Sequence, residues 1–270
     1  MRFSATGDSA LDIDAYLERI KYKGSRGNSV QTLIDLHIAH AFNIPFENLD
    51  IHLGRKISLD PTALFDKLIP GGRGGYCHEI NSLFYFLLTQ LGFEAKLLMA
   101  RVMCGSDSTG PKLHQLLLVQ TNAGDWIADP GFGGNGLIAP IPLREGVEEK
   151  QFADIFRLEA RATRGYVLQS QIQDSWVDLY SFERVFYLPI DYILPNYYNS
   201  TSPDSIFTRK KICTKPTPEG RITLIDRELR IRRNGASVKR QITNPEEYLE
   251  TLRKYFDIQL SADAWFKKWF

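Results

Sequence analysis

The chain has 270 residues, of which 43% are hydrophobic and 24% are charged, the balance of a soluble globular protein. Its 33 Lys and Arg residues nearly equal its 32 Asp and Glu residues, which argues against a nucleic-acid-binding protein with a large basic face. No apolar run approaches the roughly 18–20 residues of a membrane helix, and the N-terminus lacks the apolar segment of a secretion signal. We therefore expect a cytoplasmic enzyme or binding protein with neither nucleic acid nor membrane as a partner.

The N-terminal third is predicted to be helical. Apolar residues recur at helical spacing from Leu11 and again after Ser29, which is a predicted N-cap. Asp60, followed by a proline, predicts the start of a short third helix. After a glycine-rich segment, residues 76–91 are apolar almost all round and stop at Gly92, a pattern typical of a buried helix with a glycine at its C-terminal end.

The middle third has the alternating pattern of β-strands. Between residues 93 and 186, six short runs separated by turn sequences predict an antiparallel meander, curled as a barrel or stacked as a sandwich. The last third is mixed. It has predicted strands beginning with residues 206–213, a hairpin turn at Asn234-Gly235, a helix opened by Asn244 and a final helix capped by Ser261.

Cys77 is the first candidate for chemistry. It follows a glycine-rich run and lies in the first turn of the predicted buried helix, where free backbone N–H groups and the helix dipole favour an anion. Arg73 adds positive charge nearby, so the thiol is expected to lose its proton more readily than a free thiol. The alternative is that Cys77, like most unpaired cysteines, only packs in the core. Together with Cys104 and Cys213 it is too scattered for a disulfide framework or a thiolate zinc site.

His114 and Asp129 are the candidate partners of this thiol. His114 begins a predicted strand, and the next strand ends at Asp129. A symmetric turn between the strands places Asp129 within about three residues of the position opposite His114. An aspartate among apolar residues needs a partner, for which an imidazole is suited. Cys77, His114 and Asp129 thus have the nucleophile, base and orienting roles found together on unrelated folds.

Other interpretations of these residues are weaker. His37 lies on the apolar stripe of an early helix and is interpreted as a core histidine with its hydrogen bonds satisfied, while His78 adjoins Cys77 but points a helical step away. A metal site formed by Cys77, His114 and Asp129 lacks a closely spaced ligand pair, and we expect no metal.

These residues lie in segments that resemble the arylamine N-acetyltransferase family. Residues 73–81 (RGGYCHEIN) resemble the signature around that family's nucleophile, and residues 44–54 (IPFENLDIHLG) resemble its PFENL segment. The runs LHQLLLV, ADPGFGG and YYNSTSPDSIF are similar to its histidine, aspartate and Ser-Pro-x-Ser-x-Phe segments. Five segments in register, between about residues 44 and 207, make the resemblance specific.

The resemblance implies an α+β fold of three parts with a cysteine-protease-like Cys-His-Asp core. Residues 1–90 would form a helical bundle that carries the cysteine, residues 91–200 an antiparallel β-barrel that carries the histidine and the aspartate, and residues 201–270 an α/β lid. The resemblance also implies acetyl-CoA as the donor and arylamines, arylhydroxylamines or arylhydrazines as acceptors, with the acetyl group passing through a cysteine thioester in a ping-pong reaction.

The resemblance also implies roles at individual positions. Cys77 would be the acetylated nucleophile, His114 its base and Asp129 the residue that orients the imidazole. Further positions match the family's aryl pocket and lie near its coenzyme A segments; the first set is Phe46, Val102, Gly131, Phe132 and Phe207, and the second is Thr109, Gly110, Tyr198, Ser202 and Ser205. Pro130 departs from the family pattern, in which a small apolar residue is more usual, and it fixes the backbone beside Asp129.

Two other functions are compatible with the same residues. A transglutaminase- or papain-like thiol hydrolase or amidase uses the same order of Cys, His and Asp or Asn, with its cysteine at a helix start. A catalytically silent protein that keeps the fold and binds an aromatic ligand is the third hypothesis, which the intact set of Cys77, His114 and Asp129 disfavours.

Overall fold

Helices form the N-terminal part of the protein. The computed structural model describes residues 11–103 and 110–260. The first elements are α1 (Ile13–Arg19), α2 (Val30–Asn43), the short strand β1 (Phe46–Glu47), α3 (Leu49–His52), α4 (Pro61–Leu68) and α5 (Cys77–Gln90). The Ser29 side chain caps α2 and the Asp60 side chain caps α4, as expected. Gly92, just beyond α5, has a φ of +82°, which confirms the predicted glycine end of this helix.

Eight strands form one antiparallel sheet that closes almost completely into a barrel. They are β2 (Glu94–Val102), β3 (His114–Thr121), β4 (Gly124–Ala128), β5 (Ile141–Pro142), β6 (Glu149–Gln151), β7 (Asp154–Arg161), β8 (Gly165–Ile172) and β9 (Ser175–Tyr187). The predicted antiparallel barrel is therefore confirmed. The strand order, β5-β4-β3-β2-β9-β8-β7-β6, is not that of a simple meander, because β2 pairs with β9. Curling the sheet brings its two halves around one apolar interior, and this pairing joins them.

The C-terminal part combines helices with a second sheet. A 3₁₀ turn (Pro189–Tyr192) leads to α6 (Ile193–Thr201) and α7 (Ile206–Arg209), followed by β10 (Ile212–Thr217), β11 (Gly220–Ile225), β12 (Glu228–Arg233), β13 (Ala236–Gln241) and α8 (Pro245–Phe256). The strand predicted from residue 206 is wrong over its first half. Ser205 accepts a hydrogen bond from the Phe207 N–H and so begins a helical turn there. The helix predicted to start at Ser261 lies outside the described residues.

The second sheet also reaches back to the N-terminal part. Its strand order is β1-β10-β11-β12-β13, with Phe46 opposite Thr214 and Glu47 opposite Cys213. The segment just before α3 is therefore an edge strand of the C-terminal sheet, which no local pattern predicts. The division of the chain at residues 90 and 200 stays a prediction. Each described helix is too short or too polar to cross a lipid bilayer.

Strand β3 separates two apolar cores and so positions the site. Leu117 and Val119 belong to the core shared with the helices, while Leu116 and Leu118 belong to the barrel interior. This alternation places His114 on the barrel side of β3, the face it was expected to share with Leu116 and Leu118. Helix α5 packs against β2 and β3, and its N-terminus carries Cys77.

Candidate active site

Cys77 is the first residue of α5 and is 3% exposed. The glycine-rich run before it is packed rather than loose, because a Cβ on Gly74 would lie 2.0 Å from the Pro45 carbonyl oxygen. The chain can pass so close to the β1 segment only without a side chain at this position. The thiol thus sits at a fixed helix N-terminus, where the dipole favours an anion.

The positive charge of Arg73, which was expected near this thiol, is paired with carboxylates. Its guanidinium donates to the Glu47 carboxylate at 2.7 and 3.0 Å and to Asp50 at 3.1 Å. Arg73 is 7% exposed and Glu47 is fully buried, so the pairing offsets the cost of burying the cation. The arginine therefore holds the loop before Cys77, and its charge is already neutralised by carboxylates.

His114 connects the thiol to a carboxylate. Its Nε2 lies 2.7 Å from Asp129 Oδ2, so Nδ1 is the ring nitrogen that remains for Cys77, which is close enough to influence the pKa of the imidazole. Burial of the ring acts to lower its pKa, but the Asp129 charge and the hydrogen bonds to Asp129 and Cys77 outweigh burial and raise the pKa of His114 to about 10. The imidazole is therefore protonated at neutral pH and can stabilise a thiolate on Cys77.

Asp129 follows β4 and has no solvent exposure. Three neighbours hold it by hydrogen bonds: Oδ2 bonds to His114, Oδ1 accepts from Asn81 Nδ2 at 2.8 Å, and its backbone N–H donates to His37 Nε2 at 3.0 Å. Tyr180 lies beside the same carboxylate, and burial followed by the charge of Asp129 raises the pKa of its phenol well above the usual value. The carboxylate is thus paired and held from several sides, which compensates its burial.

Asn81 also belongs to the site, and its spacing from Cys77 is the signal for it in the sequence. It lies four residues after Cys77, so both side chains project from the same face of α5. Its Nδ2 also donates to the Gln115 carbonyl at 2.5 Å, and its Oδ1 accepts from the Gly131 N–H at 3.1 Å. A Cβ on Gly131 would lie 2.9 Å from the Asn81 amide, so Gly131 permits this close approach. The helix that carries the thiol is thereby joined to the loop that carries Asp129.

The aromatic residues proposed for an aryl pocket form two groups. The ring of Phe132 lies 5.1 Å from that of His114 and 5.0 Å from that of Tyr180. The ring of Phe207 lies 6.0 Å from Phe46 and 5.5 Å from Tyr76, the residue before Cys77. Flat apolar surfaces therefore lie next to the imidazole and next to the start of α5.

The remaining positions proposed for substrate and coenzyme contacts differ in their surroundings. Val102, at the end of β2, pairs with Tyr180 and is 38% exposed, so its side chain can meet a ligand. Gly110 precedes β3, whereas Thr109 lies outside the described residues. Tyr198, in α6, and Ser202, which ends α6, are partly exposed.

Ser205, by contrast, is buried and used by the fold. Its hydroxyl donates to the Asn199 carbonyl at 2.8 Å and accepts from the Phe207 N–H at 3.2 Å. Since a hydroxyl has one proton to donate, Ser205 has none left for a ligand in this arrangement. Over residues 11–103 and 110–260, no group of three His, Cys, Asp or Glu side chains is placed to hold a metal ion.

Comparisons with known proteins cover most of the chain. A family model described as N-acetyltransferase matches residues 29–265. The arylamine N-acetyltransferase of Mycobacterium tuberculosis (strain H37Rv) is 35% identical over 258 residues, which cover 93% of this chain and 91% of that protein. A Salmonella typhimurium protein named arylamine N-acetyltransferase / N-hydroxyarylamine O-acetyltransferase is 35% identical over 209 residues, 77% of this chain and 74% of its own length.

A solved structure is similar over the same extent. The structure of Mycobacterium marinum arylamine N-acetyltransferase in complex with CoA matches with a TM-score of 0.87 and 33% sequence identity. The match covers 92% of this chain and 93% of that chain. The likeness therefore includes the helices, the barrel and the C-terminal sheet, and is not confined to the segments around Cys77.

Proposed function

This chain belongs to the arylamine N-acetyltransferase family, and on that premise we propose that it moves an acetyl group from acetyl-CoA to the nitrogen of arylamines, arylhydroxylamines or arylhydrazines. The observation that carries the proposal is the buried pair of His114 and Asp129, joined at 2.7 Å, with Cys77 close enough to interact electrostatically with the imidazole. We place the reaction in the cytoplasm, where thiols stay reduced.

In the first half-reaction, the Cys77 thiolate attacks the thioester carbonyl of acetyl-CoA. The bond from the carbonyl carbon to the coenzyme sulfur breaks, and the His114 imidazolium gives its proton to that sulfur. The products are acetyl-Cys77, neutral His114 and free coenzyme A. Exchange of one thioester for another has little thermodynamic cost, so the step is reversible.

In the second half-reaction, the amine nitrogen attacks acetyl-Cys77. His114, now neutral, accepts a proton from the nitrogen as the C–S bond breaks, and the Cys77 thiolate and the imidazolium are restored. Asp129 stabilises the imidazolium and keeps the ring in one orientation. Coenzyme A leaves before the amine attacks, so the kinetics are expected to be ping-pong.

The start of α5 also suits the negative oxygen that forms in each step. The backbone N–H of Cys77 belongs to the first turn, where helix geometry leaves N–H groups without an intrahelical acceptor. Such a donor can stabilise the oxyanion of the tetrahedral intermediate.

Phe132, against the imidazole, and Phe207, near Tyr76, offer apolar faces for the acceptor's ring. We assign coenzyme A contacts to Gly110, Tyr198 and Ser202. Ser205 would contribute indirectly, because its hydroxyl caps α7.

The decisive test is the mass of the intact protein after brief exposure to acetyl-CoA without an acceptor. We expect one acetyl group, mapped to Cys77 by peptide analysis, and its loss when an aniline is added. Cys213→Ala should acquire the same adduct, whereas Cys77→Ala should acquire none while keeping its fold by circular dichroism. An unmodified wild-type protein, or acetyl transfer by Cys77→Ala at the wild-type rate, would contradict the proposal.

The same mixture separates transfer from hydrolysis. Formation of an acetylanilide from acetyl-CoA and the aniline supports the transferase. Release of an amine from an amide substrate, without acetylanilide formation, would instead support the thiol hydrolase or amidase.

A further inference from the structure

His37 contacts the backbone of Asp129, the carboxylate residue of the candidate site, although it is distant in sequence. It projects from α2, is fully buried, and its Nε2 lies 3.0 Å from the backbone nitrogen of Asp129. Its other ring nitrogen, Nδ1, lies 2.9 Å from the carbonyl oxygen of Ile138. The imidazole thus spans the two ends of the segment from Asp129 to Ile138, which contains Phe132 and the glycine-rich turn.

The partners of His37 determine its protonation. A backbone N–H can only donate, so Nε2 must be the unprotonated acceptor, and a carbonyl can only accept, so Nδ1 must carry the proton. The ring is therefore a neutral imidazole with one tautomer. Its burial agrees with this, because desolvation lowers the pKa of His37 to about 4 despite the nearby Asp129 charge.

The bond from His37 completes the support of Asp129. Asn81 and His114 hold the two carboxylate oxygens, whereas His37 holds the backbone of the same residue. Without a backbone anchor the carboxylate could keep its partners while the loop shifts, and the His114 ring would shift with it. Displacements of about 1 Å in such constellations can reduce rates by about a hundredfold.

His40 provides an internal contrast in the same helix. It lies one turn after His37, is equally buried, and packs against the same ring, with centroid distances to Phe84 of 5.2 Å for His40 and 5.7 Å for His37. Within the described part of the chain, neither ring nitrogen of His40 has a hydrogen-bond partner. The two histidines therefore share burial and packing but differ in the contact with Asp129.

We propose that His37 is a positioning residue for the transfer reaction, its Nε2 holding the Asp129 backbone so that the carboxylate stays aligned with the His114 imidazole. The proposal rests on the proposed function, and it goes beyond an interpretation of His37 as a satisfied core residue. His37 acts through Asp129 and does not touch the reacting atoms.

The test compares His37→Asn, His37→Gln and His40→Asn. The Asn amide reaches about as far as Nδ1 and keeps the Ile138 contact, whereas the Gln amide oxygen reaches about as far as Nε2 and can accept from Asp129. We expect His37→Asn to lower kcat by about tenfold or more with little change in the KM for the amine. His37→Gln should recover activity to within about threefold, and His40→Asn should stay within about threefold of the wild type.

A second readout separates positioning from a loss of stability. The rate of Cys77 alkylation by iodoacetamide, followed against pH, reports how well Asp129 and His114 support the thiolate. His78 also interacts electrostatically with His114, but burial lowers the pKa of His78 to about 3 and keeps its ring neutral. In His37→Asn the profile should move to higher pH, and in His40→Asn it should not move. A structural role alone would reduce the folded fraction of both variants and leave both profiles in place.

Equal kcat values and equal alkylation profiles for His37→Asn and His40→Asn would overturn the inference. If His37→Asn does not fold, His37→Met and His40→Met give the same comparison, because methionine fills the space and its sulfur accepts an N–H only weakly. A wild-type protein that fails to form an acetyl adduct would contradict the proposed function instead. The alkylation profiles would still decide whether His37 supports the thiolate.

Discussion

His114 and the histidines buried around it differ in charge because they differ in partners. Burial lowers the pKa of His37 to about 4 and that of His40 and His78 to about 3. His114 is as deeply buried, yet the Asp129 carboxylate at 2.7 Å overcomes the effect of burial and raises its pKa to about 10. At the residue scale, a single carboxylate therefore decides which buried imidazole carries a proton next to Cys77.

The two described cysteines offer a direct test of this local electrostatic effect. Cys77 is 3% exposed and Cys213 is 0% exposed, so access to reagent differs little between them. Cys213 lies in β10, where burial raises the pKa of its thiol well above the usual value. At pH 7 we expect iodoacetamide to alkylate Cys77 about a hundredfold faster than Cys213. Peptide mass spectrometry measures both rates in one sample, and equal rates would show that Cys77 is not activated.

Replacing Asp129 by asparagine removes the charge that supports His114 and nearly preserves the shape. In Asp129→Asn, the pKa of His114 should fall, because burial then acts with less opposition. We expect turnover to fall by at least about a hundredfold, since the imidazole loses its orienting carboxylate and its preferred tautomer. Steady-state kinetics with acetyl-CoA and an aniline measure the loss. A loss of less than about tenfold would place Asp129 outside the reacting set.

At the scale of elements, two helices and one loop form the framework of the site. Helix α5 contributes Cys77 and, one turn later, Asn81, while α2 contributes His37. The loop after β4 contributes Asp129 and Gly131, and both bond to Asn81. The thiol and the carboxylate are thus positioned by the same helix, so a change at their interface should affect both the chemistry and the stability.

Gly131→Ala tests that interface. The new Cβ would lie 2.9 Å from the Asn81 amide, closer than real Cβ contacts, so the loop or Asn81 must move. We expect turnover to fall by about tenfold and stability to fall by about 1–3 kcal/mol. Gly27→Ala is the control, because its Cβ would meet nothing closer than 3.6 Å. Kinetics and urea unfolding of both variants measure the effects. Wild-type turnover in Gly131→Ala would mean that the contact with Asn81 does not matter for the reaction.

His40, a buried histidine of α2, should make the stability of the fold depend on pH in acid. The pKa of His40 is about 3 in the folded protein, lowered mainly by burial, so between pH 6.5 and 3 the unfolded chain binds a proton that the folded chain does not. Stability from this group is complete above about pH 6.5 and falls as the pH drops, by up to about 1.4 kcal/mol per pH unit. His40→Leu should remove that share of the acid slope. Urea unfolding at pH 7, 5.5 and 4.5 measures it, and an unchanged slope would contradict the assignment.

At the scale of the whole molecule, the loop before Cys77 is tied to the C-terminal sheet through β1. Glu47 of β1 binds Arg73 of the loop and lies opposite Cys213 of β10. Asp50 joins the same cluster, in which Lys67 bonds to Asp50 at 2.9 Å and to Glu79 at 2.6 Å. A buried set of charges thus holds the helices, the loop and the second sheet in one arrangement.

Glu47→Gln tests the cohesion of this cluster. It keeps the size of the side chain but leaves the Arg73 guanidinium, which is 7% exposed, without its closest carboxylate. We expect a loss of stability of about 1–3 kcal/mol, because the buried guanidinium keeps Asp50 but loses its charge-assisted hydrogen bonds to Glu47. Asp14→Asn breaks the exposed Arg26–Asp14 pair and should have no measurable effect. Equal urea midpoints for the two variants would show that the buried cluster is not needed for stability.

Much of the fold follows from local patterns in the sequence. The caps at Ser29, Asp60 and Asn244 were predicted because capping involves residues within one turn of the helix start. The alternation that places His114 on the face of Leu116 and Leu118 is equally local. The prediction failed at residues 206–209, where Ser205 begins a helical turn inside a segment with the composition of a strand.

Local sequence patterns are sufficient to predict the thiol at a helix start, the histidine and aspartate on neighbouring strands, and the family to which these segments belong. Tertiary structure alone decided that Arg73 is neutralised by Glu47 and that Asn81 and His37 hold Asp129. The two groups of features differ in the sequence separation of the residues that interact. Helix ends and strand faces depend on residues a few positions apart, whereas the bond from Asp129 to His37 joins positions 92 residues apart and exists only after the barrel has packed against the helices.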